Sequence, residues 1–107
     1  MKIVYLAHPI GGDIEKNLAD LRRIVRRINL EFPDVVPFVP YYADVVSLND
    51  SNPEERERGI KNDVEIISRG IPDELWLTGE RMSLGMSVEY AQAVLQDIPV
   101  IDYINKF

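Results

Sequence analysis

The stretch from Asp73 to Ala91 constrains this chain more than any other. Asp73 to Gly79 is an apolar-rich run of strand length, Glu80 to Met82 follow as a loop, and a helix opens after Ser83. A strand-to-helix turn of this kind sets unpaired backbone N–H groups and the positive end of the helix dipole beside the carboxyl edge of a sheet. Small anionic ligands bind at such places. Glu89 lies one turn inside that helix.

The same alternation runs through the whole chain. Lys2 to Ala7 is β-branched and aromatic without strict alternation, as in a strand covered on both faces. His8-Pro9-Ile10-Gly11-Gly12-Asp13 reads as a loop ending on Asp13 as an N-cap. Leu18, Leu21, Val25, Ile28 and Phe32 recur at helical spacing and predict a helix over about 14–32, which leaves Arg22, Arg23, Arg26 and Arg27 on a solvated face. Val35 to Pro40 is the second strand, at an edge, because Pro37 and Pro40 cannot donate to a ladder. Tyr41 to Asp50 fits a helical turn, an irregular loop or a contact between copies. Asn52-Pro53-Glu54-Glu55 combines an N-cap, a proline at the first helical position and a capping-box Glu, so a second helix should run to about Arg69 and stop at Gly70. Leu84 to Gln96 and Pro99 to Tyr103 complete the alternation as helix and strand. Strands and helices of these lengths pair in parallel with right-handed crossovers. The expectation is an α/β fold with a small doubly wound, flavodoxin- or Rossmann-like parallel sheet of order 2-1-3-4, helices on both faces, and one domain over residues 1–107.

Composition then removes whole classes of function. The 107 residues are 46% apolar, enough for one core. No run of about 18 apolar residues and no basic-then-apolar leader is present, so a membrane partner is not expected and a cytoplasmic location is. Zero cysteines and one histidine exclude disulfides and thiolate catalysis and leave no expected metal or cofactor. A net charge of −6 opposes polymeric nucleic acid as a partner, whereas a single nucleoside or nucleotide needs only a few local groups. Neither G-x-G-x-x-G nor a Walker sequence occurs, so dinucleotide and ATP chemistry find no support.

In a sheet of order 2-1-3-4 the crevice opens between strands 1 and 3, and the loop from His8 to Gly12 faces the loop from Thr78 to Gly85. Gly11 and Gly12 either let backbone approach a sugar or phosphate or simply make a tight turn. Gly85, Glu89, Gln92 and Gln96 form a polar line beside an apolar stripe of Leu84, Val88, Ala91 and Leu95, which on periodicity alone makes Glu89 a solvated residue. Asp63 lies in a strongly charged stretch and reads alone as an exposed acid. Ser83 reads as an N-cap, a geometry that also serves phosphate, and His8 as a structural residue or a phosphate ligand. Trp76, Tyr90, Met82 and Met86 read as core or interface contacts. Tyr41, Tyr42, Met86 and Phe107 look exposed, which predicts a homodimer or higher homo-oligomer.

Ser83-Leu84-Gly85 followed by Glu89 resembles the signature of the nucleoside 2-deoxyribosyltransferase-like superfamily, and most closely that of its 2'-deoxynucleoside 5'-phosphate N-hydrolases and small phage-type relatives. Val4-Tyr5-Leu6-Ala7 before Gly11-Gly12, Lys61-Asn62-Asp63, and Ala91 with Ile98-Pro99-Val100 fall where that family has similar elements. The resemblance implies an N-glycosidase acting on a 2'-deoxynucleoside or its 5'-monophosphate, with base exchange or silent nucleotide binding as alternatives. It implies Glu89 as nucleophile, kept ionised by the helix N-terminus and oriented by Tyr5. Asp63 would protonate or position the leaving base. His8, Gly11, Gly12, Ser83, Gly85 and Ser87 would hold substrate. Ile10 and Asp13 stand where the hydrolases carry arginines, and Ser83 where the transferases carry Asp; the latter difference favours the hydrolase branch.

Overall fold

The computed structural model describes residues 1–107. Its elements are β1 (Lys2–Ala7), α1 (Ile14–Glu31), β2 (Val35–Phe38), α2 (Tyr41–Ser47), α3 (Pro53–Ser68), β3 (Glu74–Leu77), α4 (Leu84–Leu95) and β4 (Val100–Asp102). The four strands form one parallel sheet of order β2-β1-β3-β4, with β2 at the edge as its prolines require. Val4 pairs with Pro37 on one side and Glu74 on the other, and Leu75 pairs with Val100.

Strand alternation feeds two cores, one per face of the sheet. Tyr5, Ala7, Leu75 and Leu77 pack with Tyr41, Ile67, Met86 and Ala93 from α2, α3 and α4. Val4, Leu6 and Trp76 pack with Ile24 and Ile28 of α1, and Phe32, Tyr103 and Phe107 close over Trp76. The fold is therefore doubly wound, as expected.

Local chemistry explains most boundaries. The Asp13 carboxylate caps α1 by accepting from the Lys16 N–H, and Asn52 accepts from the N–H groups of Glu54 and Glu55 ahead of α3. The expected capping box at α3 is not closed: Glu55 accepts instead from the Asn49 N–H, because the Asn52 N–H already donates to the Asn49 carbonyl. Tyr41 to Ser47 resolves as a helix. Tyr41, Val45 and Leu48 mark its inward side at helical spacing.

Two expectations about exposure fail. Tyr41 and Met86 are buried in the core, and Tyr42 and Phe107 are half-buried against it, so none of the four forms an open apolar patch. In α4 the face is inverted: Met86, Glu89 and Ala93 point inward, while Leu84 (76% exposed), Val88, Ala91 and Leu95 (73%) face out. The helix exposes no charged side chain at all, since its one acid, Glu89, is buried.

Gly79 fixes how β3 leaves the sheet. Its φ is +90°, and a Cβ there would lie 2.6 Å from Pro9 Cδ in the facing loop. Gly79→Ala should therefore destabilise the protein by about 1–3 kcal/mol, from backbone strain alone. A thermal-denaturation midpoint unchanged by the substitution would contradict this account of the two loops.

Candidate active site

The carboxyl ends of β1 and β3 and the near ends of α2, α3 and α4 enclose a cavity of about 390 Å³. Tyr5, in the middle of the sheet, is fully buried behind it, and its hydroxyl donates a hydrogen bond to Glu89 Oε2. Strand alternation turns Tyr5 toward α4, and α4 turns Glu89 back toward the strand, so the pair bridges sheet and helix at the cavity wall. Glu89 Oε1 has no hydrogen-bond partner within the chain. Asp63, on the inner face of α3, lines the same cavity and is only 7% exposed; its Oδ1 is buried without any partner. An unpaired buried carboxylate oxygen carries a full desolvation penalty and stays in a folded protein only if something else is gained.

Electrostatics follow from this burial. Desolvation pushes the Glu89 carboxyl up to about 8; the Tyr5 hydroxyl opposes the rise and the charge of Asp63 adds to it. Burial likewise pushes Asp63 up to about 7, with the neighbouring Asp44 adding and the Tyr5 hydroxyl opposing. The expectation that the helix N-terminus keeps Glu89 ionised is thus corrected. Glu89 lies beyond the first turn of α4, where the dipole has faded, and burial dominates. Burial and the same two carboxylates raise the Tyr5 phenol well above its usual range, so it remains a donor.

Of the other candidates, His8, Gly11, Gly12, Ser83 and Gly85 line the cavity and Ser87 does not. His8 Nδ1 lies 2.7 Å from the Pro9 carbonyl and Nε2 lies 2.9 Å from Asp20 Oδ2, so neither nitrogen is free for a phosphate. Ser83 Oγ accepts from the Met86 N–H as the N-cap, and Ser87 Oγ donates to the Leu84 carbonyl at 2.8 Å. The Asn17 amide donates to the Ile10 and Gly11 carbonyls and fixes the first loop over the cavity. Asp44, Asp50, Glu55, Arg56 and Arg81 also line the cavity and were not singled out from sequence. Asp44 was findable: the helical spacing of Tyr41, Val45 and Leu48 places it beside that inward side.

Comparison with known proteins agrees with the architecture. No curated protein sequence matches the chain. Among solved structures, a 2-deoxyribosyltransferase from the psychrotolerant bacterium Bacillus psychrosaccharolyticus superposes with a TM-score of 0.60 at 19% identity, covering 98% of this chain and 75% of that one. At that identity the likeness establishes a shared fold. The family described as a domain of unknown function, DUF7768, is matched over residues 2–103. With nearly every residue inside that match, the chain belongs to the DUF7768 family.

Proposed function

We propose that this protein is an N-glycosidase that cleaves the bond between base and sugar in a small 2'-deoxynucleoside, with Glu89 as the nucleophile. The observation behind this reading is the buried Tyr5–Glu89 pair beside Asp63 on the wall of one nucleoside-sized cavity. Tyr5 holds Oε2 and leaves Oε1 as the oxygen that attacks C1'. The base departs through an oxocarbenium-like transition state while Asp63, which burial keeps protonated toward neutral pH, delivers its proton to the base. Water then attacks C1' of the glycosyl-enzyme, gives up a proton to Asp63, and frees the Glu89 carboxylate.

The free nucleoside suits the cavity better than its 5'-monophosphate. Ser87 bonds its own helix, which leaves the Ser83 O–H, Arg56, Arg81 and the first N–H groups of α4 to meet a phosphate. Asp44, Asp50 and Glu55 on the same cavity oppose it.

Glu89→Gln should lower kcat on the order of 10³-fold or more with little change in KM, and Asp63→Asn should lower it less, by roughly 10²-fold. Near-normal kcat in Glu89→Gln would remove the mechanism. The pH profile follows from the two raised carboxyls. Glu89 must lose its proton, which favours high pH, and Asp63 must keep its own, which favours low pH. The working form is the singly protonated pair with the proton on Asp63, the minority arrangement, because Glu89 holds a proton more tightly than Asp63. Its kcat/KM should be bell-shaped with flanks near about 7 and about 8. Asp63→Asn should abolish the alkaline flank, and a profile flat from pH 5 to 9 would contradict the assignment.

We infer too that the protein is a homodimer through the outer face of α4. Leu84, Val88, Ala91 and Leu95 form an uncharged stripe about 18 Å long, by helical rise, that is self-complementary across a two-fold axis. Leu84 also lines the cavity, so a second copy would narrow its mouth. Sedimentation should give a dimer at micromolar concentration and a monomer for Leu95→Glu; a monomeric wild type would overturn the inference.

A further inference from the structure

Most of the chain's glycines answer to the backbone. Gly12, Gly70 and Gly79 hold positive φ angles, which an L side chain rarely adopts, and Gly11 sits in the loop after β1. Gly59 and Gly85 differ, because both lie within helices, where glycine is less stable than alanine. Gly85 falls in the first turn of α4, but Gly59 stands in the middle of α3, where the loss is felt in full. Packing does not require it. Beyond its own helix, a Cβ at Gly59 would meet only Asp44 Cβ, at 3.8 Å, an ordinary van der Waals contact.

The surface on which Gly59 lies supplies the reason that the backbone and the packing do not. α3 turns Glu55, Arg56, Gly59, Ile60 and Asp63 to the cavity, at the three- and four-residue spacing of one helix face. Along that face the residues pass from the exposed Arg56 through the half-buried Gly59 to the buried Asp63. Gly59 therefore lies between the outer end of the cavity and the acid assigned to the leaving base, about 6 Å short of Asp63 by helical rise. Asp44, the one neighbour of a Cβ at this position, also lines the cavity, so a side chain longer than alanine would grow into it.

We propose that Gly59 is a specificity-determining residue of this site: the substrate's base lies along α3, with one edge at Asp63 and the rest on the bare backbone at Gly59, in the room that a side chain would fill. This rests on the glycosidase reading for the class of substrate, and on the helical glycine for the place of the base. A base seated there extends outward from Asp63 by its own length, so a two-ring base depends on Gly59 more than a one-ring base does. The sugar, common to both, does not touch it. The stability forgone in α3 is the counterpart of that room.

The test combines melting, turnover and base binding in Gly59→Ala and Gly59→Leu. Gly59→Ala should raise the thermal midpoint by roughly 2–6 °C, since alanine is the better helix former and its methyl group fits. In the same variant kcat/KM should fall about tenfold for 2'-deoxyadenosine and about threefold or less for 2'-deoxycytidine, and Gly59→Leu should lower the former about 100-fold or more. A lowered midpoint in Gly59→Ala would mean that the fold itself needs the glycine, equal losses for the two nucleosides would put the new side chain against the sugar, and unchanged kcat/KM would leave the position without a role; each overturns the proposal. Adenine carries no sugar, so its calorimetric titration locates the base directly, and Gly59→Leu should weaken its binding about tenfold or more. If wild type cleaves neither nucleoside but binds adenine and Gly59→Leu loses that binding, the glycosidase reading falls and the place of the base stands. If wild type cleaves both nucleosides and the variants match it, the glycosidase reading stands and this proposal falls. Wild type that neither cleaves 2'-deoxyadenosine nor binds adenine overturns the proposal as well.

Discussion

The hydrogen bond from Tyr5 to Glu89 decides how the last third of the chain sits on the first. Apolar periodicity alone would seat α4 on Leu84, Val88, Ala91 and Leu95 and leave Glu89 in water. The helix is seated the other way, with Met86, Glu89 and Ala93 inward. Burying a carboxyl is costly unless it is hydrogen-bonded or neutral, and both remedies operate: Tyr5 donates to one oxygen, and desolvation raises the affinity for a proton. The outward turn of four apolar side chains is the other half of the same choice. Water on one face of α4 and a buried acid on the other are both unfavourable for an isolated domain, and both become intelligible if the cavity binds substrate and the stripe meets a second copy.

Once Glu89 is fixed, the rest of the cavity follows from topology. β1 and β3 are neighbours at the centre of the sheet, so their carboxyl-end loops face each other; Asn17 pins the first loop to α1, and Gly79 packs closely against Pro9. α2 and α3 supply Asp44, Glu55, Arg56 and Asp63 to the cavity, with Arg58 steadying Asn62 and Asn62 steadying Asp44. The protein thus presents two carboxyls with raised proton affinity side by side, one bonded to a phenol and one with a bare oxygen. Two acids whose titrations are pushed into the neutral range suit the displacement proposed above, one as nucleophile and one as proton donor.

How much of this was legible in the sequence depended on distance along the chain. β1, α1 and α3 are set by periodicity and caps within a few residues of one another; parallel pairing follows from the alternation, and the sheet order was expected by analogy with flavodoxin-like folds. α2 was left open because seven residues give less than two helical turns of pattern and Pro40 offers no side-chain cap. The seating of α4 was illegible for another reason: it depends on a partner 84 residues away, which no local pattern can register. Only the family resemblance linked Tyr5, Asp63 and Glu89, and the three do converge. The same resemblance misled about charge, because burial, which fixes the proton affinity of Glu89, is a property of the folded molecule. His8 is hydrogen-bonded through both ring nitrogens, Ser83 Oγ caps α4, and Ser87 Oγ bonds back to its own helix.

The central claim is that Glu89 forms a covalent bond to the sugar carbon, and the most direct test is the intact mass of protein quenched during turnover of a nucleoside substrate. The account predicts a population heavier by one glycosyl group, located by peptide fragmentation on Glu89 and absent from Glu89→Gln. Base release by wild-type protein with no such population under single-turnover quenching, together with base release by Glu89→Gln at a comparable rate, would contradict it.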